Sequence, residues 1–411
     1  MISRSVLVIG HGIPEPQSTG AGVRMVQLLE LFKELNYKIQ FSSTADTVQD
    51  SSLTELDIPY TQIRLNCDSF DDFVAKIDPK VVVFDRFMTQ EQFGWRVTKA
   101  CPKALTILDT EDLHFLRNHR QHQSQALIAK TELSDIAKRE LAAIYRCDLS
   151  LLISEFEVDL LTNSFGIPKE LLFHLPFLVK ETAALKKTTS FEDRQGFYFV
   201  GNGKHAPNVD AIYYLYKIWP LLKKSISGSS MHIYGAYLPE SVLQMHKPEQ
   251  GFFVHGYVKD LITTISKHRV LLAPLRFGAG QKRKIFDAWL TGSAVVTTDI
   301  GAEAIADSQR FGGTISNTED LLVKDARLLY SEATHWAAAV AKGQNLLKSD
   351  FSWQSHKNQF REALDHSIEH LAPLRIQNTV GQLLSHHSLQ STKYLSKWIQ
   401  EKNRSKEPPS V

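Results

Sequence analysis

Short unbroken apolar runs alternate along the chain with longer stretches in which apolar residues return every three or four positions. Ser5–Ile9 (SVLVI), Lys38–Ser42, Val81–Phe84 (VVVF), Leu105–Leu108 and Leu149–Ile153 are the runs of the first half. Gly196–Val200, Met231–Tyr234, Phe252–Val254, Val270–Pro274 (VLLAP) and Ala294–Thr297 are those of the second. Runs without polar alternation predict strands covered on both faces, as in parallel sheets. Between them, Val23, Val26, Leu28, Leu29 and Phe32 mark one helix and Phe70–Ile77 another. Ile285, Ala288 and Trp289 mark a third, running from Gln281 to Leu290 and stopped by Gly292. Strand and helix alternating at this rhythm predict doubly wound α/β sheets, whose ligands bind beyond the carboxyl ends of the strands.

The pattern also divides the chain. From Arg117 to Arg146 it is polar and helix-forming, with Leu127, Ile128, Leu133, Ile136, Leu141 and Ile144 as the buried positions; His119, Arg120 and His122 read as a solvated face. Periodicity is lost over Lys180–Arg194 (KETAALKKTTSFEDR), read as an inter-domain linker. Residues 1–180 and 190–350 are therefore predicted to be two Rossmann-like domains. Residues 351–370 are predicted to be a helix crossing back onto the first, and 371–411 an extension whose end, from Ser405, is disordered. In that extension Tyr394, Leu395, Trp398 and Ile399 form a stripe beside Lys393, Lys397, Lys402 and Arg404. Such a basic amphipathic helix suits an anionic membrane surface. Its commoner use is packing on its own chain or a second subunit, and that is the reading preferred here.

Composition narrows the class. A chain of 411 residues is too long for one compact domain and ample for two. Its near-neutral formal charge of +2 lacks the basic excess of a nucleic-acid binder. Cys67, Cys101 and Cys147 are too few and too far apart for a disulfide framework or a metal cluster, which fits a reducing compartment. The N-terminal apolar run is too short for a signal peptide, and no stretch approaches a membrane span. A soluble cytoplasmic protein is expected, in peripheral contact at most with the cytoplasmic membrane face.

Candidate chemistry gathers after the strand Val270–Pro274. Gly278-Ala279-Gly280 allows a tight turn and close approach of backbone to a ligand, and the next helix opens with Lys282, Arg283 and Lys284. Free amides, the positive helix end and added cations make an anion trap. On spacing alone, an ordinary strand-turn-helix with solvated lysines is an equal reading. Near the N-terminus, Gly10-x-Gly12 meets Pro14 and Gly20-x-Gly22 lacks a third glycine, so this is not a dinucleotide fingerprint. Asp109-x-Glu111 would suit Mg²⁺ by spacing. Asp112 is read as the cap of the helix that follows it, and Ser154-x-x-Glu157 as a capping box.

Leu275–Glu303 (LRFGAGQKRKIFDAWLTGSAVVTTDIGAE) resembles the signature of the retaining GT-B glycosyltransferases of family four, in which G-A-G-x-K-x-K-x-x-E-A is followed by a V-V-T-T-like strand and G-A-E. Further resemblances cover Phe199–Ala211, similar to F-V-G-x-x-x-x-x-P-N-x-D-A, then Gly256–Asp260, similar to G-x-V-x-D, and Asp109–His114, similar to D-T-x-D-L-H. Ser154–Glu157 is similar to the S-x-x-E segment that closes the cleft near the donor, a second reading of Glu157 beside the preferred cap. Asp287 stands where the family usually has a ribose-holding glutamate, and Ala279 where many members have a second one; Asn202 replaces a diphosphate-binding arginine.

This resemblance implies the GT-B fold, two doubly wound Rossmann-like domains facing across a cleft, with the donor on the second and the acceptor on the first. It implies a retaining glycosyltransferase moving a sugar from a UDP- or GDP-linked donor to a hydroxyl of a saccharide or lipid-linked glycan, with no cofactor and no metal. Lys282, Asp109 and His114 become the catalytic candidates. Gly278, Ala279, Gly280, Lys204, Asn202, Lys284, Asp287 and Glu303 become the donor-binding ones. Gly22 and Arg24 would lie near the donor phosphates or the acceptor, with Arg24 alternatively a solvated first-turn residue. A sugar-nucleotide epimerase or hydrolase, and an inactive donor-binding partner subunit, remain open on the same fold.

Overall fold

The computed structural model describes residues 4–46, 51–122, 132–180 and 190–404. Two all-parallel sheets form. The first contains β1 (Ser5–Ile9), β2 (Lys38–Ser43), β3 (Tyr60–Gln62), β4 (Val81–Asp85), β5 (Leu105–Asp109), β6 (Leu149–Leu152) and β7 (Leu172–His174), in the order β3-β2-β1-β4-β5-β6-β7. The second contains β8 (Phe197–Val200), β9 (Met231–Tyr234), β10 (Phe252–Gly256), β11 (Val270–Ala273), β12 (Ala294–Thr297) and β13 (Gly313–Ile315), in the order β10-β9-β8-β11-β12-β13. Central strands such as Val81–Asp85 are buried along their whole length because helices cover both faces. The strands absent from the sequence reading, β3, β7 and β13, are three-residue edge strands, too short to carry a periodic signal.

Each sheet reverses its winding beside its first strand, β1 in one and β8 in the other, and this opens a crevice at the strand ends. The two crevices face each other. Asn202, after β8, donates from Nδ2 to the Ser18 carbonyl of the first-domain glycine loop at 3.2 Å.

Local departures from the sequence reading have identifiable causes. The long helix predicted over 117–146 is two helices, His114–His122 and Asp135–Arg146, while Leu127 and Ile128 lie outside the described residues. Most of the predicted linker, 181–189, also lies outside them, as does the tail from Ser405. Arg194, at the linker's end, is instead fully buried in the second domain, donating to the carbonyls of His268 (3.1 Å) and Thr291 (2.5 Å).

After the second sheet the chain crosses back. Val179 N donates to Phe351 O and Trp353 N to Val179 O, and the helix Trp353–Glu369 buries Trp353, Phe360 and Leu364 in the first domain's core. Arg375 then clamps Asp148 (2.6 and 2.7 Å) and the Ala104 carbonyl (2.8 Å). This lays the last helix, Thr379–Arg404, along the helices Arg86–Ala100 and Asp135–Arg146.

Candidate active site

A cleft of about 220 Å³ lies between the two sets of strand ends. Its second-domain wall is the stretch after β11. Gly278 (φ +144°) and Gly280 (φ +63°) both adopt backbone that L side chains disfavour. A Cβ on Gly280 would come within 2.8 Å of the Asp112 Cβ, so the turn is pressed against the first domain. The following helix begins at Arg283, two residues later than predicted, with Lys282 at its N-cap.

Lys282 folds back on its own turn, donating from Nζ to the carbonyls of Ala279 (2.8 Å) and Gly280 (2.5 Å). Desolvation by the cleft walls lowers its pKa to about 8, although Glu303, Asp112 and Glu157 oppose the shift. Lys284 donates to Asn208 Oδ1 (2.6 Å) and lies 4.3 Å from the Phe199 ring centre. Burial, with a smaller contribution from Lys282, brings it down to about 7. Two under-solvated lysines therefore share one cleft with a glycine turn, and an anion would relieve both.

The remaining second-domain candidates are partly engaged by the protein. Asp287 lines the cleft while accepting from Arg283 Nε one turn earlier at 2.8 Å. Asn202 also lines it and takes the Lys204 amide on Oδ1 (2.8 Å). Lys204 points into an adjoining lobe, with Nζ 3.8 Å from the Tyr237 ring centre. Ala279 is buried against first-domain apolar residues. Glu303 is held by Arg120, whose guanidinium donates to both carboxylate oxygens at 2.7 Å and to Gly278 O at 2.9 Å. Arg120 is thus an inter-domain clamp, not part of a solvated face.

The first-domain candidates separate. Arg24 and Asp109 turn toward each other inside the domain, with Nε 2.8 Å from Oδ1 and a further Arg24 bond to Leu175 O, and neither lines the cleft. Gly22 packs so closely on Glu15 that a Cβ would meet its backbone at 2.4 Å; it borders the adjoining lobe. His114 rests edge-on against Phe87 with Nε2 3.8 Å from Asp112, and burial lowers its pKa to about 4, so it is neutral.

What the first domain offers the cleft is a charged rim. Asp85 and Asp109 are register partners at the ends of β4 and β5, and just beyond them Arg86 (φ +71°) and Glu111 (φ +65°) hold strained backbone. Arg86 faces Asp85 (3.4 Å) and Glu111 (3.8 Å), and Arg117 holds both oxygens of Asp112 at 2.5 Å. Burial, then Asp112, pushes Glu111 up to about 7. Glu111, Asp112 and His114 bring possible ligand atoms within 4.8 Å of one another, a spacing a cation could use, with both carboxylates already facing arginines.

Two capping expectations are corrected. Asp112 does not cap the helix His114–His122; Glu140, from the helix Asp135–Arg146, accepts from the amides of His114 (3.1 Å) and Phe115 (2.9 Å). Ser154 caps its helix as predicted, but Glu157 does not complete the box. Its Oε1 accepts from Leu113 N (3.2 Å) and, across the domain boundary, from Gly280 N (3.1 Å). The carboxylate beside the turn therefore comes from the first domain. Gln281 makes a similar staple, accepting from Phe177 N (2.8 Å) and donating to Ala304 O (2.9 Å). The Gln281 contact had no sequence signal, its Phe177 partner lying 104 residues away, whereas Glu157 stands beside the turn as the resemblance to the S-x-x-E segment implied.

Residues 194–339 match the family model described as Glycosyl transferases group 1. The second domain is a group 1 glycosyl transferase domain. No curated protein sequence matches the chain. Solved structures share its two-domain arrangement. Sucrose-phosphate synthase (tll1590) from Thermosynechococcus elongatus is 12% identical with a TM-score of 0.68, over 88% of this chain and 98% of that one. Anabaena Alr3699/HepE in complex with UDP and glucose is 12% identical with a TM-score of 0.68, over 88% and 99%. The pneumococcal O-GlcNAc transferase GtfA in complex with UDP and GlcNAc is 11% identical with a TM-score of 0.65, over 90% and 100%. At such identities the likeness is one of fold, and that fold is GT-B.

Proposed function

We propose that the protein transfers a sugar from a nucleotide-sugar donor to an acceptor hydroxyl with retention of configuration, the diphosphate lying at the Gly278–Lys284 turn. The observation carrying this reading is the pair of desolvated lysines, 282 and 284, beside a glycine turn in the inter-domain cleft. HepE and GtfA, of the same fold, are described in complex with UDP, which favours a uridine donor.

In the reaction, the bond between the anomeric carbon and the diphosphate oxygen breaks while the acceptor oxygen bonds to that carbon. The acceptor proton passes to the departing diphosphate, so no side chain need serve as base. Negative charge growing on the leaving oxygens is met by Lys282 and Lys284 in a low-dielectric site, where such contacts stabilise most. The Gly280 amide, already donating to Glu157, steadies the turn and is not free to bind phosphate. Asp287 is placed for the ribose hydroxyls once its pairing with Arg283 loosens. Glu111, Asp112 and Arg117 form the opposite wall, toward the saccharide or lipid-linked acceptor.

Thermal unfolding against a panel of UDP- and GDP-sugars and free nucleotides tests the reading. A ligand at ~100 times its Kd stabilises by about 2.7 kcal/mol. A shift with one nucleotide series is expected; a folded protein that shifts with none would overturn it. Binding without turnover across an acceptor panel would replace transfer by donor binding alone.

A further inference from the structure

The last helix, Thr379–Arg404, is attached the wrong way round for an ordinary amphipathic helix. Toward its end the inward side is polar among the described side chains: Ser396 Oγ accepts from Arg96 (3.3 Å) and Gln400 donates to Asp68 Oδ2 (2.5 Å), both side chains being buried. Its outward side is apolar. Val380, Leu383, Tyr394, Leu395 and Trp398 are 45%, 57%, 65%, 58% and 60% exposed, and at helical spacing they share one stripe opposite Ser396 and Gln400. The sequence favours packing of Tyr394, Leu395, Trp398 and Ile399 on the chain itself or on a second subunit; the structure turns the first three to solvent and leaves Ile399 half-buried. The protein gains nothing from burying the exposed stripe, so its presence calls for an external occupant.

Charge selects the occupant. Lys397 and Lys402 are exposed and Lys393 half-buried, against one acid, Glu401, on this part of the helix. Lys402 Nζ lies 5.0 Å from the Trp398 ring centre and Lys393 Nζ 5.8 Å from that of Tyr394, so cations flank the aromatic stripe. Two copies meeting here about a two-fold axis would set lysine against lysine. An anionic lipid surface accepts both parts, phosphates taking the lysines and the interfacial zone taking Trp and Tyr. Among the described residues no helix is long and apolar enough to cross a membrane, so contact here is lateral.

We propose that the outward face of Thr379–Arg404 docks the protein flat on an anionic bilayer surface. The inference is independent of the transfer reading, since none of these residues lines the cleft. Co-sedimentation of the full chain with phosphatidylcholine vesicles, with and without equimolar phosphatidylglycerol, tests it. Binding at least about tenfold greater to the anionic vesicles is expected, with release at about 1 M salt, where the Debye length falls to about 3 Å. Lys393→Glu/Lys397→Glu and Leu395→Ser/Trp398→Ser should each weaken binding by about tenfold or more, as each lysine near such a surface counts for roughly fivefold. Circular dichroism should report a wild-type fold; should a double variant not fold, exposed Lys397→Ala replaces it. Equal binding to both lipids, or unchanged binding in the variants, would overturn the proposal. So would a dimer that Trp398→Ser dissolves in a protein that ignores vesicles.

Discussion

The guanidinium of Arg120, from the first domain, grips the carboxylate of Glu303, from the second, through two N–H···O bonds of 2.7 Å, and also donates to the Gly278 carbonyl. One side chain thus holds both the domain boundary and the glycine turn. Both partners are mostly buried (16% and 18% exposed), so removal of one leaves the other charge poorly solvated. Arg120→Ala is expected to lower thermal stability and to raise KM for the donor about tenfold or more. Arg120→Lys, which lacks the planar fork, should rescue little. A double-mutant cycle with Glu303→Ala should give a coupling of roughly 1 kcal/mol or more; strict additivity would sink the clamp.

Lys282 and Lys284, at about 8 and about 7, are poised to gain protons when an anion arrives. Calorimetry of UDP binding at about pH 8, in buffers of different ionisation enthalpy, should show net proton uptake that fades toward about pH 6. Affinity should fall as pH rises through 7 to 8. Lys284→Met is expected to remove much of the uptake, and Lys282→Ala to cut turnover by about 100-fold. Uptake unchanged in Lys284→Met would place the phosphates elsewhere.

At Gly280, a positive φ and a 2.8 Å approach to the Asp112 side chain act together. Gly280→Ala must shift the turn or separate the domains, and an unfolding free-energy loss above about 1 kcal/mol is expected. Nucleotide binding should weaken at the same time. A wild-type affinity in this variant would show that the turn does not set the donor site.

Glu157 uses only one oxygen: Oε1 accepts from Leu113 N and Gly280 N, while Oε2 has no partner. Burial holds its pKa near 8, against an ordinary 4.5 in the unfolded chain. The folded state therefore keeps a proton that the unfolded state has lost, and this contribution, complete below about 4.5, disappears as pH rises toward 8. Glu157→Gln keeps the accepting oxygen without titrating, so its melting temperature should fall less steeply between those limits. Glu157→Ala leaves two buried amides unpaired and should cost about 1–3 kcal/mol at low pH, a cost that shrinks as pH rises toward 8 because only the wild type loses its bound proton. Parallel pH profiles for wild type and Glu157→Gln would refute the assignment.

Much of the fold was legible because its signals are local. Unbroken runs such as Val81–Phe84 announce strands covered on both sides, and Gly278-Ala279-Gly280 announces a tight turn; the strand lies where it was read, and the turn with Lys282 and Lys284 lines the inter-domain cleft. Three-residue edge strands escaped, having no period to detect. Site membership was less legible on the first domain. Arg24 and Asp109 look reactive in the sequence, but 85 residues apart they find one another and become an internal ion pair.

The sequence by itself determined the alternation of longer strands and helices that makes two doubly wound sheets, and the lysine-bearing glycine turn, since each depends on residues within a few positions of one another. Only the tertiary structure decided which carboxylate meets that turn, which arginine clamps the domains, and that the aromatic stripe of the last helix faces outward. Those outcomes depend on distant residues competing for the same hydrogen-bond partners, and Glu157, Arg120 and Ser396 win them through geometry that no local pattern records.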